Sequence, residues 1–226
     1  MARIRILVFD MEFANGKIPG SVYSFGYLVM NERFDILTPP TDIVINPDCE
    51  WNEYVATNIL AYPRALVESA PTFDGVYDTL FSLLEEVDFA VGFSISNDIR
   101  ALRAACERYA LKMPDFAWLD VERVCKRVGL HREAHGLEGC FRAWCPLEGM
   151  PEKRHRSDVD AYMTARLLEG IGRQFRVSAD MLKAAYPECC GKASEWDAQK
   201  IKKKERRKRR PVLRKKQKHK KEGSTL

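Results

Sequence analysis

Apolar positions open the chain in two blocks. Residues 4–9, Ile4-Arg5-Ile6-Leu7-Val8-Phe9, are mostly apolar, β-branched in part and free of Gly and Pro, which predicts a short buried strand. A second strand is predicted over 21–30, where Val22, Tyr23, Phe25, Tyr27, Leu28 and Val29 fall. Between the two lies a turn-rich loop, Asn15-Gly16-Lys17-Ile18-Pro19-Gly20. Asn31-Glu32-Arg33 predicts a hairpin turn. Third-strand material follows at 34–37 and 43–45, interrupted at Pro39-Pro40.

The period then becomes helical. Residues 46–70 predict one or two short helices. Ala70-Pro71-Thr72-Phe73 opens a longer one, with Thr72 as N-cap and Val76, Leu80, Leu83 and Leu84 along one face. A buried strand at 88–93 leads into a helix reaching Tyr109, and 116–119 makes another strand. Short helices are expected at 120–128 and 137–144. A long helix opens at Ser157, read as its N-cap, and runs to about Ile171; a last one spans 178–186 and stops at Pro187. The order β-β-β-α-β-α-β-α-α predicts an α/β domain with a mixed β-sheet, antiparallel over its first three strands. No internal repeat is visible.

Composition adds limits. The chain has 226 residues, 46% of them hydrophobic, enough for one cored domain with an extension, expected as 1–186 and 187–226. No apolar run is long enough to span a membrane, and the N-terminus does not read as a signal peptide. Seven cysteines, an odd number, suggest reduced thiols and a cytoplasmic protein. Charge is split. Between Lys200 and Lys221 there are fifteen Lys and Arg against one acid, Glu205, whereas the body before them carries about eight net negative charges. The tail has no apolar periodicity, is expected to be disordered, and suits nucleic-acid phosphates; in a eukaryotic cell the same run would suit nuclear import.

The chemistry lies at the ends of the predicted elements. The first strand ends Asp10-Met11-Glu12, and alternate strand residues share a side, so the two carboxylates aim together. Such a pair tolerates partial burial if a hard divalent cation, Mg²⁺ or Mn²⁺, lies between them. Asp98 stands in the first turn of a helix that follows a buried strand, where α/β folds place their sites. His155 and Asp160 flank the start of the long helix, so an imidazole and a carboxylate can face one small volume. Asp158 points elsewhere by helical spacing. A zinc reading of His131, His135, Cys140 and Cys145 fails on spacing.

Asp10-x-Glu12, Gly92-x5-Asp98-x3-Leu102 and His155-x4-Asp160-Ala161 resemble, in order and spacing, the three motifs of the DEDDh (DnaQ-like) 3′–5′ exonucleases, over roughly residues 4–171. The tyrosine-type variant would need Tyr where Arg156 stands, so the chain is similar to the histidine type. It departs from the common pattern at Phe13-Ala14-Asn15-Gly16 after the first motif and at Ser94 and Asn97 in the second. The resemblance implies a ribonuclease H-like fold and a hydrolase that binds single-stranded DNA or RNA at 3′ ends and releases nucleoside 5′-monophosphates. It implies two Mg²⁺ or Mn²⁺ ions held by Asp10, Glu12, Asp98 and Asp160, with His155 taking the proton of the attacking water. Phe13 and Ser94 are the substrate contacts it suggests, Phe13 by stacking on a base. The alternative on the same residues is a nucleic-acid-binding protein of this fold without turnover.

Overall fold

The computed structural model describes residues 4–129, 134–151 and 155–195. The basic run from Lys200 to Lys221, and also His131, lie outside the described residues.

Nine residues, Arg5–Phe13, form β1, which carries both Asp10 and Glu12 within the strand. β2 (Val22–Asn31) pairs with it antiparallel, and β3 (Ile36–Val44) pairs antiparallel with β2. The expected break at Pro39-Pro40 does not occur. β3 is an edge strand with half its length exposed, so the missing proline N–H groups need not serve a second neighbour. The irregularity appears instead as register shifts opposite Tyr27 to Met30.

Two short helices follow, α1 (Glu53–Asn58) and α2 (Arg64–Glu68), then α3 (Phe73–Glu85). Thr72 precedes α3 as expected but makes no capping bond to the backbone; its hydroxyl donates to Asp74. β4 (Phe89–Gly92) lies parallel to β1, α4 (Ser96–Arg108) follows, and β5 (Ala117–Asp120) lies parallel to β4. Next come α5 (Val121–Val128), α6 (Gly136–Trp144), α7 (Ser157–Phe175) and α8 (Ala179–Ala185). A 3₁₀ turn at Pro187–Cys189 leads into β6 (Cys190–Lys192), a strand not foreseen in the sequence; it pairs antiparallel with β5 and carries the sheet past the domain end expected at Tyr186. The sheet order is β3-β2-β1-β4-β5-β6, and residues through Ala193 form one compact unit. This is an α/β architecture, a mixed six-stranded sheet flanked by helices. No helix among the described residues is long and apolar enough to cross a membrane.

Strand alternation divides the core. Ile6 and Val8 of β1 and Leu28 and Met30 of β2 pack with Met163, Leu167, Leu168 and Ile171 of α7. Leu7 and Phe9, one residue out of phase, are equally buried on the other face, where Phe9 stacks on Phe25 with ring centroids 5.1 Å apart. The even-numbered face of β1 therefore runs from apolar residues under α7 directly to Asp10 and Glu12. A third small cluster, Ala14, Tyr23 and Val67 with Trp51, Leu60 and Tyr62 against it, anchors the 46–70 segment beside the end of β1.

Candidate active site

The acids converge because three strands and two helix starts meet at one end of the sheet. In the ladder Asp10 pairs with Gly26, and Gly26 with Asp42, so the three stand in one row across β1, β2 and β3. Gly26 leaves a gap between the two acids. The start of α7 fills it: a Cβ at Gly26 would lie 1.9 Å from the Asp158 backbone nitrogen. The backbone of α7 thus rests on the sheet itself, with the positive end of its dipole beside two carboxylates.

Ser157 is the first residue of α7, after an N-cap at Arg156, not the cap expected from the sequence. Its hydroxyl is turned away from its own helix, to Ser24 Oγ at 2.5 Å and Asp42 Oδ1 at 2.9 Å. Asp160 consequently sits in the fourth helical position, its N–H donating to the Arg156 carbonyl. His155 precedes the helix, exposed, at φ 57°, a left-handed turn that brings the chain into α7. One ligand atom each from Glu12, His155 and Asp160 lie within 4.8 Å of one another.

Asp98 enters from the other side of the sheet. β4 pairs with β1 only as far as Val8, so the β1 edge beyond is free to hydrogen-bond the carboxylate of Asp98 through Met11. Asp98 is 4% exposed. Asp158 is instead paired with Arg156, two of whose nitrogens donate to it at 3.0 and 2.7 Å.

Burial and mutual repulsion set the electrostatics. Burial first, and then Asp98, Glu12, Asp160 and Asp42, push Asp10 well above the usual carboxylate range. Asp98 is raised in the same sense, by burial first, against hydrogen bonds from the backbone of Asp98 and Met11. Glu12 rises to about 8, through burial and then Asp160, Asp98 and Asp42. Asp160 rises to about 6, mainly through burial, with His155 pulling it back. Glu12 and Asp160, whose charge is disfavoured by burial and, for Glu12, by Asp160, bring hard oxygen donors together beside His155. They suit a divalent cation of the Mg²⁺ or Mn²⁺ kind, with Asp98 close enough to raise both Glu12 and Asp10.

A stability test follows from the sign of these shifts. Glu12 and Asp160 hold protons in the fold that the unfolded chain releases near pH 4–4.5. Their contribution is full below that pH and is lost as pH rises through about 6 and about 8. Thermal unfolding in EDTA is expected to show Tm falling by about 10 °C between pH 5 and pH 8. Millimolar Mn²⁺ should remove most of that fall. A metal-free Tm that climbs across this window would contradict the assignment.

The two substrate contacts expected from the sequence are placed differently. Phe13 lines a cavity of about 280 Å³ with Ile18, Asn97 and Arg100, between the end of β1 and the start of α4. The Ser94 hydroxyl is instead taken by Glu122 of α5. Phe93 packs against the main core. Asp42 was not foreseen; its one signal was a lone acid among the β-branched residues Thr41, Ile43 and Val44. Cys140 and Cys145, considered above with histidines, are buried in the core, and Cys145 donates to the Arg166 carbonyl at 3.3 Å.

No protein-family model matches the chain, and no curated protein matches it. Solved structures do. The chain superposes on a 3′-exonuclease, from a structure of 3′-end-specific recognition of a histone mRNA stem-loop, with a TM-score of 0.66 and 14% identity, covering 79% of this chain and 85% of that one. Exonuclease X in complex with 5′-overhanging duplex DNA gives 0.60 and 18%, covering 79% and 96%. The nuclease domain of 3′hExo, a DEDDh family member bound to rAMP, gives 0.58 and 16%, covering 76% and 92%.

Proposed function

We propose that this chain, which has the ribonuclease H-like fold of the DEDDh 3′-exonucleases, is itself a metal-dependent 3′–5′ exonuclease acting on single-stranded nucleic acid. One observation supports the reading: ligand atoms of Glu12, His155 and Asp160 lie within 4.8 Å of one another, and the charges of Glu12, Asp160 and Asp98 bear on Asp10.

Asp10, Glu12, Asp98 and Asp160 would hold Mg²⁺ or Mn²⁺, which would supply charge to the scissile phosphate and acidity to the attacking water. The protein's own residues do the rest. Its carboxylates orient and, once their charge is offset, stay ionised. His155, the only exposed member of the trio, receives the proton of the water. Phe13, at the rim of its cavity, offers a face to the terminal bases, which suits single strands without reading sequence. Asn97 and Arg100 on the same wall offer polar and cationic groups to the backbone. The product would be a nucleoside 5′-monophosphate. The basic stretch from Lys200 would add phosphate contacts that weaken with salt.

His155→Ala tests the assignment of the base. Turnover of a single-stranded oligonucleotide is expected to drop by about 10²–10⁴-fold with KM little changed, and added imidazole should restore part of the rate. Asp160→Asn should not respond to imidazole. Wild-type turnover in His155→Ala would remove His155 from the chemistry.

A further inference from the structure

The fifth carboxylate of the cluster, Asp42, has no part in the motifs, yet it shares a row with Asp10 and raises both Asp10 and Glu12. A like charge placed there costs stability, so its partners indicate its use. Each of its oxygens is occupied. Oδ1 accepts from the Ser157 hydroxyl at 2.9 Å and Oδ2 from the Tyr62 hydroxyl at 2.5 Å. Ser157 has one proton and gives it to Asp42, so the 2.5 Å contact between Ser24 and Ser157 requires Ser24 to donate. The chain of bonds is Ser24 to Ser157 to Asp42, with Tyr62 closing it from the other end. The Arg156 guanidinium lies 5.4 Å over the Tyr62 ring and pairs with Asp158. β2, β3, the segment before α2 and the first turn of α7 are thereby tied at one carboxylate.

We propose that Asp42 is a positioning residue of the hydrolytic centre: through Ser157 and Tyr62 it fixes the first turn of α7, and so sets where His155 and Asp160 stand relative to Glu12. With each oxygen held by a hydroxyl, it acts on the centre through α7. Tyr62 is its outer brace, and Ser157 is the link, two residues from His155 and three from Asp160. The inference rests on the exonuclease reading above for its effect on rate, but not for its effect on the geometry of α7.

The test is Asp42→Asn beside Ser157→Ala and Tyr62→Phe. The amide keeps the size of the side chain but can accept from only one of the two hydroxyls. Asp42→Asn is expected to lower kcat by about 10–100-fold with KM within about threefold, and to weaken Mn²⁺ binding by calorimetry by about the same factor. Amide exchange should quicken over 157–161 while β1 keeps its protection. Tyr62→Phe should do the same more mildly. The Asp42→Asn, Ser157→Ala double variant should be no worse than the poorer single one, since both cut one chain of bonds. Wild-type exchange over 157–161 and wild-type Mn²⁺ affinity in all three variants would overturn the inference, as would strictly additive effects. If Asp42→Asn does not fold, Ser157→Ala and Tyr62→Phe decide alone. A wild-type protein that hydrolyses nothing would instead sink the exonuclease reading, and exchange and Mn²⁺ affinity would still judge Asp42.

Discussion

Asp10→Asn is expected to lower metal-dependent hydrolysis by about a thousand-fold or more while the fold becomes no less stable. The two effects have one cause. Asp10 is the acid on which the others bear most: Asp98, Glu12, Asp160 and Asp42 all raise it, after burial. Neutralising it removes a buried like charge, so in EDTA at pH 8 the Tm of the variant should match or exceed that of the wild type. The same change takes one hard oxygen charge from the cation site, and loss of several kcal/mol of charge stabilisation at the reacting phosphate accounts for a rate factor of that size. The added stability given by Mn²⁺ should shrink in parallel. A purified variant that keeps its turnover, or loses it only because it unfolds, would show that Asp10 does not serve in this way. Thermal melts and rates on one preparation separate these outcomes.

Gly26→Ala is expected to be the most damaging conservative change in the sheet. The added methyl would lie 1.9 Å from the Asp158 nitrogen and the Ser157 carbonyl carbon, and 2.3 Å from the Ser157 oxygen. These are backbone atoms of a 19-residue helix whose inner side is packed into the main core, so neither side can give way locally. Either α7 lifts at its start, carrying Asp160 and His155 away from Glu12, or β2 distorts. A loss of about 3 kcal/mol or more is expected, seen as a Tm lower by about 10 °C. Any folded fraction should have lost its Mn²⁺ binding and its hydrolysis. A Gly26→Ala protein with wild-type Tm and turnover would contradict the close seating of α7 on the Asp10–Gly26–Asp42 row.

Much of this centre was legible because its residues sit at the ends of elements whose patterns are strong. The apolar run before Asp10 fixes the phase of β1, and alternate spacing then puts Asp10 and Glu12 on one face, the α7 face. Asp98 was readable as a first-turn acid after a buried strand, and His155 and Asp160 as the two sides of a helix start. What stayed hidden depends on partners distant in sequence. Asp42 joins Asp10 only through the register of three strands, and a sequence that reads as interrupted at Pro39-Pro40, where β3 in fact runs on, conceals that register. Ser157 carries the ordinary signature of an N-cap, but its hydroxyl is recruited by Ser24 and Asp42, 133 and 115 residues away, and the cap falls to Arg156. The Ser94 hydroxyl goes to Glu122 on a later helix, which no local pattern announces. β6 is three residues, Cys190-Gly191-Lys192, with no alternation of its own, and exists because β5 offers it an edge.

The most direct test of the account is to follow 5′-labelled single-stranded DNA and RNA of one sequence with Mg²⁺, Mn²⁺ or EDTA, beside the Asp10→Asn protein. The account predicts a ladder that shortens from the 3′ end one nucleotide at a time, requires the divalent ion, and is absent in Asp10→Asn and in EDTA; the faster of the two ladders names the substrate. No shortening of either strand under any metal, with salt-sensitive binding retained, would contradict it and leave a nucleic-acid-binding protein built on an exonuclease fold.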